Sequence, residues 1–327
     1  MVAESVRIYA PAASAGFGAG VAAAFGVPLG ELEEREFDAG EHQMRPLESV
    51  RGRSVYVIQC LFGDAGGSPN DRLAGLLFLV GTLKDAGAGR VTACLPYLAY
   101  ARQDRRTEAL GPVTTRYVAQ LLEAVGVDRV LALDVHNPAA FDNAFRCETV
   151  HLAADALFVR HFAAAAAGRE FAVATPDIGG AKRARHFQER FAAAIGRSVN
   201  FVIMDKQRSR GIVSGSLFAG DVAGRHVIIV DDLISSGTTV LRAVDACRRA
   251  GAVRVDAAAT HASFAAEASR LFDSAGPDAL VVTDSVPLGA AFTGRDQPLA
   301  VLSIAPAFAE AIRTLERAGS LADLEGR

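Results

Sequence analysis

VIIVDDLISSGTT, from Val227 to Thr239, is the stretch on which the fold class turns. Its four aliphatic residues, Val227 to Val230, carry the unbroken hydrophobicity of a strand buried on both faces, as strands of parallel sheets are. The run ends in two carboxylates, Asp231 and Asp232. A loop of small hydroxyl residues around Gly237 follows, and then a segment with helical spacing, Val240 to Ala250. A strand, loop and helix in this order gather backbone N–H groups, hydroxyls and a helix N-terminus around one small volume, which suits a phosphate. The acids just upstream repel a phosphate and are matched instead to sugar hydroxyls or to a metal. A sugar phosphate satisfies both halves of the stretch. Acid pairs also close strands as plain solvated turns, and Ser and Thr also cap helices. The unbroken order of strand, acids, glycine loop and helix favours a site.

The same pattern of helix and strand recurs along the chain. Gly-x-x-Arg-Val appears as Gly87 to Val91, Gly126 to Val130 and Gly251 to Val255, each time after a helical pattern and before an apolar run. The glycine suits a helix C-terminus, where positive φ is required. Alternating helices and short buried strands predict an α/β fold with mainly parallel sheets. Ligands of such sheets bind beyond the carboxyl ends of the strands. The chemistry-bearing residues lie there: Leu131 to His136, Phe171 to Thr175 followed by PDIGG (Pro176 to Gly180), and Phe201 to Met204 followed by a charged loop from Asp205. The alanine run Ala163 to Ala167 reads as helix interior. The division expected is an N-terminal domain over 1–165 and a C-terminal domain over 166–327, with the last helix placed to pack back on the N-terminal domain.

Composition narrows the class further. Half of the 327 residues are hydrophobic, enough for a large core without disulfides or metals, and the net charge of −3 offers no basic surface for nucleic acid. Cys60, Cys94, Cys147 and Cys247 are far apart in apolar surroundings and read as reduced core thiols. No signal segment or membrane-length apolar run is present, so a cytoplasmic protein is expected. Of the 34 basic residues only Lys84, Lys182 and Lys206 are lysines. A lysine kept in an arginine-rich chain points to a task that a planar fork does not perform. Lys206, entering the charged loop, is the candidate, whereas Lys84 reads as ordinary surface.

Pro96 to Arg106, PYLAYARQDRR, adds two tyrosines and three arginines at another strand end, a combination able to grip phosphates bidentately and stack on a base. Together with DDLISSGTT it resembles the ribose-phosphate diphosphokinases, or phosphoribosyl pyrophosphate (PRPP) synthetases. FDAGE (Phe37 to Glu41), ESVRG (Glu48 to Gly52), LDVH (Leu133 to His136), TPDIGG (Thr175 to Gly180), MDKQR (Met204 to Arg208) and SIAPAFAEAI (Ser303 to Ile312) extend the resemblance, in order, over nearly the whole chain.

The resemblance implies two phosphoribosyltransferase-like α/β domains, each with a mainly parallel central sheet flanked by helices. It implies transfer of the diphosphoryl group of ATP to the anomeric hydroxyl of ribose 5-phosphate, giving PRPP and AMP. It places Lys206 and Arg208 in a catalytic loop. It assigns ATP to Phe37, Glu41, Arg102, Gln103, Asp104 and Arg105, and ribose 5-phosphate to Asp231, Asp232, Ser235, Ser236, Gly237, Thr238 and Thr239. Mg²⁺ is the implied cofactor, at His136 and Asp177. A homo-oligomer, a dimer or a hexamer of dimers, is implied, with the ATP site at a subunit interface. No nucleic-acid or membrane partner is implied. His151, His186 and His261 are expected to be structural, and Arg183 and Arg185 to decorate a helix.

The chain departs from the family pattern at four places. Ala39 stands where an acid is usual, the loop reads Ser-Ser-Gly-Thr-Thr, Asn137 to Phe145 reads NPAAFDNAF, and Gln207 separates the two loop cations. These changes imply an active but divergent synthetase without the usual phosphate activation and ADP inhibition. Two other readings remain at this point: a phosphoribosyltransferase, which shares the acid-pair loop, and a non-catalytic regulatory homologue.

Overall fold

Each of the three Gly-x-x-Arg-Val segments turns a helix into a strand. Gly87, Gly126 and Gly251 have φ of 86°, 94° and 88°, and Arg90, Arg129 and Arg254 open strands. The computed structural model describes residues 5–209, 212–293, 299–322 and 324, with the side chains of 205–218 outside that description. The chain folds as two compact units, one running to Ala153 and resuming at Ser303, the other Ala154–Leu302.

In chain order the first unit holds β1 (Val6–Tyr9), α1 (Ala15–Phe25), β2 (Leu32–Glu36), β3 (His42–Pro46), β4 (Ser54–Ile58) and α2 (Pro69–Asp85). It continues with β5 (Arg90–Leu95), α3 (Thr114–Ala124), β6 (Arg129–Leu133), α4 (Pro138–Ala144) and β7 (Glu148–Leu152). Its five-stranded sheet runs β1-β4-β5-β6-β7, every pair parallel, with β4 and β6 buried almost throughout. β2 and β3 form a separate antiparallel ribbon that rests on α2. Gly75 permits that approach, because a Cβ there would stand 2.9 Å from both His42 Nε2 and Met44 Cε. α2 starts cleanly: Pro69 at its first position has no N–H to leave unpaired, and Ser68 and Asp71 form a reciprocal capping box.

The second unit holds α5 (Asp155–Ala163), β8 (Phe171–Thr175), α6 (Ala181–Ile195), β9 (Asn200–Ser209), β10 (Ile212–Ala219) and β11 (His226–Ile234). It ends with α7 (Thr238–Arg249), β12 (Arg254–Ala262), β13 (Ala279–Thr283) and β14 (Leu299–Leu302). The seven strands run β10-β9-β8-β11-β12-β13-β14, parallel except for β10 on the edge. From β8 the chain crosses to β9 on one side, and from β11 it crosses to β12 on the other. β8 and β11 are therefore adjacent strands whose connections leave in opposite directions, a topological switch point of the kind that opens a crevice at strand ends. The final helix α8 (Ala305–Glu316) belongs to the first unit, where Glu316 accepts from Tyr56 Oη at 2.8 Å.

Three local expectations change. The acids do not end β11: the strand pairs onward with β12 through Asp231 and Leu233 to Ile234. β9 does not stop at Met204 but runs to Ser209, its ladder satisfied by β10 where the composition read as a charged loop. α5 ends at Ala163, so Ala164 to Ala167 lie beyond the helix, and Gly168 at φ 70° turns the chain toward β8. High alanine propensity loses there to the geometry of the return, propensity being a weak prior. Cys60, Cys94 and Cys247 are buried and Cys147 is half-buried, and none of the four is in a disulfide. Among the described residues no helix is long and apolar enough to cross a membrane.

Candidate active site

The acid pair, the hydroxyl loop and Asp177 lie at the β8/β11 switch point of the second unit. β11 is buried from Val227 through Val230, and this rigid element delivers Asp231 and Asp232 side by side. The backbone N–H of Asp232 donates to Asp231 Oδ1 at 2.9 Å, fixing the first carboxylate against the main chain of the second. Asp232 is buried. Burial, and then the charge of Asp232, raise the Asp231 carboxyl well above its ordinary range. Two like charges so placed favour a shared proton or a cationic or hydroxyl-bearing partner.

Gly237 then turns the chain into α7 at φ 74°, a left-handed position that a side chain strains. A Cβ at Gly237 would also stand 2.6 Å from Leu271 Cγ, so both backbone and packing demand glycine. The loop is pinned by Ala265 N donating to Ser235 O at 3.2 Å and by Ser263 Oγ donating to Ile234 O at 3.2 Å. Ser236 and Thr238 hydroxyls lie 3.1 Å apart across the glycine, while Ser235 and Thr238 are exposed. α7 has no acid in its first turn and has Arg248 and Arg249 in its last. Its N-terminal end is thus left positive behind a ring of hydroxyls, the arrangement that suits a phosphate.

Asp177 occupies the turn after β8. Its Oδ1 accepts from Gly180 N at 3.2 Å, and its carbonyl accepts from Thr175 Oγ1 at 2.7 Å. Gly180 is required by closeness, since a Cβ would meet Thr175 Oγ1 at 2.7 Å. Among the described residues no group of three or more His, Cys, Asp and Glu gathers as a ready metal cage. A single fixed carboxylate fits Mg²⁺, which takes one or two protein oxygens and the rest from substrate phosphates and water.

In the first unit Phe37 and Glu41 frame the turn of the β2–β3 ribbon. Phe37 N donates to Glu41 O at 2.7 Å, Gly40 sits at φ 81°, and the Phe37 ring is 51 % exposed. Arg102, Gln103 and Arg105 are exposed after β5, and Asp104 is half-buried. Their segment is anchored at Tyr100, at φ 64°, whose carbonyl accepts from Gln103 N at 2.9 Å and Thr115 Oγ1 at 2.7 Å. Thr114 donates to Gln103 Oε1. His136 is exposed just after β6, next to Asn137, which caps α4. The structure thus brings Arg102 to Arg105 and the His136 turn together in one unit, and Asp177, Asp231, Asp232 and Ser235 to Thr239 together in the other. The side chains of Lys206 and Arg208 lie outside the described residues.

Two contacts were not legible in the residues. Asn137 Nδ2 donates to Asp104 Oδ2 at 2.7 Å, joining the arginine segment to the His136 turn. Arg183, expected merely to decorate a helix, points its Nη2 at Asp232 Oδ2, 3.4 Å away. Arg185 also has a place, its guanidinium 4.0 Å above the centre of the Phe201 ring. Of the three histidines expected to be structural, His186 places Nδ1 3.1 Å from Asp155, and His261 places Nδ1 2.9 Å from Ser285 Oγ.

Residues 6–126 match the model for the N-terminal domain of ribose phosphate pyrophosphokinase, and residues 214–325 that for a phosphoribosyl synthetase-associated domain. The chain is 37 % identical over 295 residues to the ribose-phosphate pyrophosphokinase of Pasteurella multocida, covering 90 % of each chain. It is 33 % identical over 322 residues to that of Caldanaerobacter subterraneus subsp. tengcongensis, covering 98 % of each. A crystal structure of phosphoribosylpyrophosphate synthetase from Mycobacterium smegmatis superposes with a TM-score of 0.84 at 31 % identity, over 96 % of this chain and 100 % of the other. With this agreement along the full length, and with the acid pair, glycine loop and switch point in one place, the chain belongs to the ribose-phosphate pyrophosphokinase family.

Proposed function

We propose that the chain is a ribose-phosphate diphosphokinase, converting ATP and ribose 5-phosphate to PRPP and AMP. The observation that carries the proposal is an acid pair and a glycine-centred hydroxyl loop at a switch point, in a chain matched along its length by ribose-phosphate pyrophosphokinases. The C1 hydroxyl oxygen of the sugar attacks the β-phosphorus of ATP. The bond from that phosphorus to the α–β bridging oxygen breaks, AMP leaves with the oxygen, and the hydroxyl proton passes to solvent.

Each residue has a role suited to its chemistry. Ser235 to Thr239 and the N-terminus of α7 hold the 5-phosphate, and Asp231 and Asp232 accept from the ribose hydroxyls. Lys206 and Arg208 supply positive charge to the developing anion, since phosphoryl-type transfer asks chiefly for position and charge. Arg102, Gln103, Asp104 and Arg105 bind the nucleotide. Phe37 and Glu41 complete that nucleotide site from a second copy in a homo-oligomer, and their position on an exposed ribbon turn supports this. Asp177 and His136 would hold Mg²⁺ on the ATP phosphates. When bound, the ion would neutralise phosphate charge and draw electrons from the phosphorus.

The regulatory homologue is disfavoured by retention of the acid pair and of Lys206 and Arg208. A phosphoribosyltransferase does not require the first unit's arginine segment. Kinetics of two variants test the assignment. Asp231→Ala is expected to raise the KM for ribose 5-phosphate, and Lys206→Ala to lower kcat. If Asp231→Ala left use of the sugar untouched, the sugar assignment would be wrong.

A further inference from the structure

The first turn of α6 is built against its own dipole. It contains Lys182 and Arg183 with Arg185 just behind them, and it contains no acid. Cations at a helix N-terminus are disfavoured, so each has to find compensation elsewhere. Arg185 finds it on the face of Phe201, and Lys182 is exposed to water. Arg183 is half-buried, with its side chain 24 % accessible, and lies 3.4 Å from Asp232, whose side chain is 11 % accessible. α6 packs on the β8–β11 part of the sheet, so Arg183 reaches the acid pair from the helix that follows Asp177.

We infer that Arg183 is a positioning residue for the sugar: it orients Asp232 and balances the doubled negative charge, so that both carboxylates accept from ribose hydroxyls. This rests on the reading that Asp231 and Asp232 bind the sugar. Without a cation, two adjacent carboxylates in a part-buried pocket share a proton, and one of them ceases to be a full acceptor. The chief charges acting on Asp231 are Asp232 on its own strand and Arg183 from α6, with Arg183 opposing the rise that burial and Asp232 produce. From the neighbouring elements, His261 of β12 is engaged with Ser285, and Asp177 with Gly180 N. A fork also fixes direction as an ammonium does not, so the role is one of geometry as well as charge.

The test is steady-state PRPP synthesis by the full-length protein over a range of pH, with ribose 5-phosphate and ATP varied in turn. Arg183→Gln is expected to raise the KM for ribose 5-phosphate by about tenfold, as loss of a charge-assisted contact does. The KM for ATP should stay within about twofold, since no ATP residue is touched. The acid limb of kcat/KM for the sugar should move up by about one pH unit, the usual effect of removing an adjacent opposite charge. Arg183→Lys should return the limb to its wild-type position while recovering only part of the KM.

An unmoved limb in folded Arg183→Gln overturns the inference. So does a raised KM that lysine does not improve, which would mark a merely structural tie. If Arg183→Gln does not fold, Arg183→Lys decides alone, because a limb displaced upward despite the retained charge contradicts the assignment. Asp231→Asn separates this inference from the reading beneath it. If that variant leaves the sugar KM unchanged, the sugar assignment itself falls. If it raises the KM and Arg183→Gln does not, only the role of Arg183 falls.

Discussion

Asn137 holds Asp104 with one end of its amide and the N-terminus of α4 with the other: Nδ2 donates to Asp104 Oδ2 at 2.7 Å, and Oδ1 accepts from Ala140 N at 3.3 Å. The two strand-end turns of the first unit, after β5 and after β6, are joined through this residue. One carries the exposed arginines and the other carries His136. Asn137 therefore ties the arginine segment to the His136 turn without itself carrying a charge.

Asn137→Asp separates the two contacts. Aspartate caps a helix as well as asparagine does, so α4 should persist. The donor to Asp104 is lost, however, and a second carboxylate faces the first. The KM for ATP is expected to rise by roughly 3- to 10-fold, in line with about 1 kcal/mol for a lost hydrogen bond. The KM for ribose 5-phosphate should be little changed. An unaltered ATP KM in the folded variant would deny Asn137 any part in nucleotide binding.

Asp231 opposes the stability of the fold that holds it. Its carboxyl is raised well above 3.8 by burial and by Asp232, so folding favours its protonated form. It therefore weighs against the folded state as pH climbs above about 4, where the unfolded chain is already ionised. Asp231→Asn mimics the protonated form and keeps an acceptor for Asp232 N. The ligand-free variant is expected to melt higher than wild type at neutral pH, with the difference shrinking toward pH 4, while the KM for ribose 5-phosphate rises. Thermal melts at several pH values check this, and a variant that melts lower at neutral pH refutes it.

Gly237 is fixed twice, by φ of 74° and by the 2.6 Å approach to Leu271 Cγ that a Cβ would make. Gly237→Ala is expected to destabilise the second unit by about 1–3 kcal/mol, the usual cost of overpacking. It should also raise the KM for ribose 5-phosphate by an order of magnitude or so through displacement of the hydroxyl loop. Leu271→Ala in the same chain should relieve the contact but leave the KM high, because the backbone strain remains, and as a buried core residue its truncation should not restore stability. Denaturant titration alongside kinetics reads both effects.

Lys206 is assigned to the reaction step and not to holding the sugar. Lys206→Ala is expected to lower kcat by two orders of magnitude or more, a loss typical of removing a group that stabilises developing charge. Both KM values should stay within a fewfold. Retained turnover in Lys206→Ala would remove the charged segment of β9 from the chemistry.

Much of this architecture was legible because it is written in local pattern. Val227 to Val230 are apolar on both faces, as a central strand requires, and β11 has parallel neighbours on both sides. Gly87, Gly126 and Gly251 stand at positive φ because each must end a helix and start a strand within a few residues. What escaped is non-local or composed of polar residues. Nothing in the spacing of Arg183 reveals a carboxylate from a strand 49 positions away, and the Asn137–Asp104 contact spans 33 residues. In sequence β9 looks like a strand followed by a loop because its second half is charged. An edge hairpin can carry polar residues, since backbone pairing with β10 orders the strand whatever its side chains. The acid pair lies inside β11 and not at its end, yet a carboxylate within a strand near its carboxyl end looks in sequence like the strand's end.

The most direct test is to incubate the purified full-length protein with ATP, Mg²⁺ and ribose 5-phosphate, with and without inorganic phosphate, and identify the nucleotide product. The expected result is AMP formed in equal amount with PRPP and only when ribose 5-phosphate is present, with activity persisting when phosphate is omitted. Activity only with phosphate would keep the enzyme and remove its divergent regulation. ADP in place of AMP would contradict diphosphoryl transfer, and no sugar-dependent AMP from folded protein under either condition would contradict it and point to the regulatory homologue.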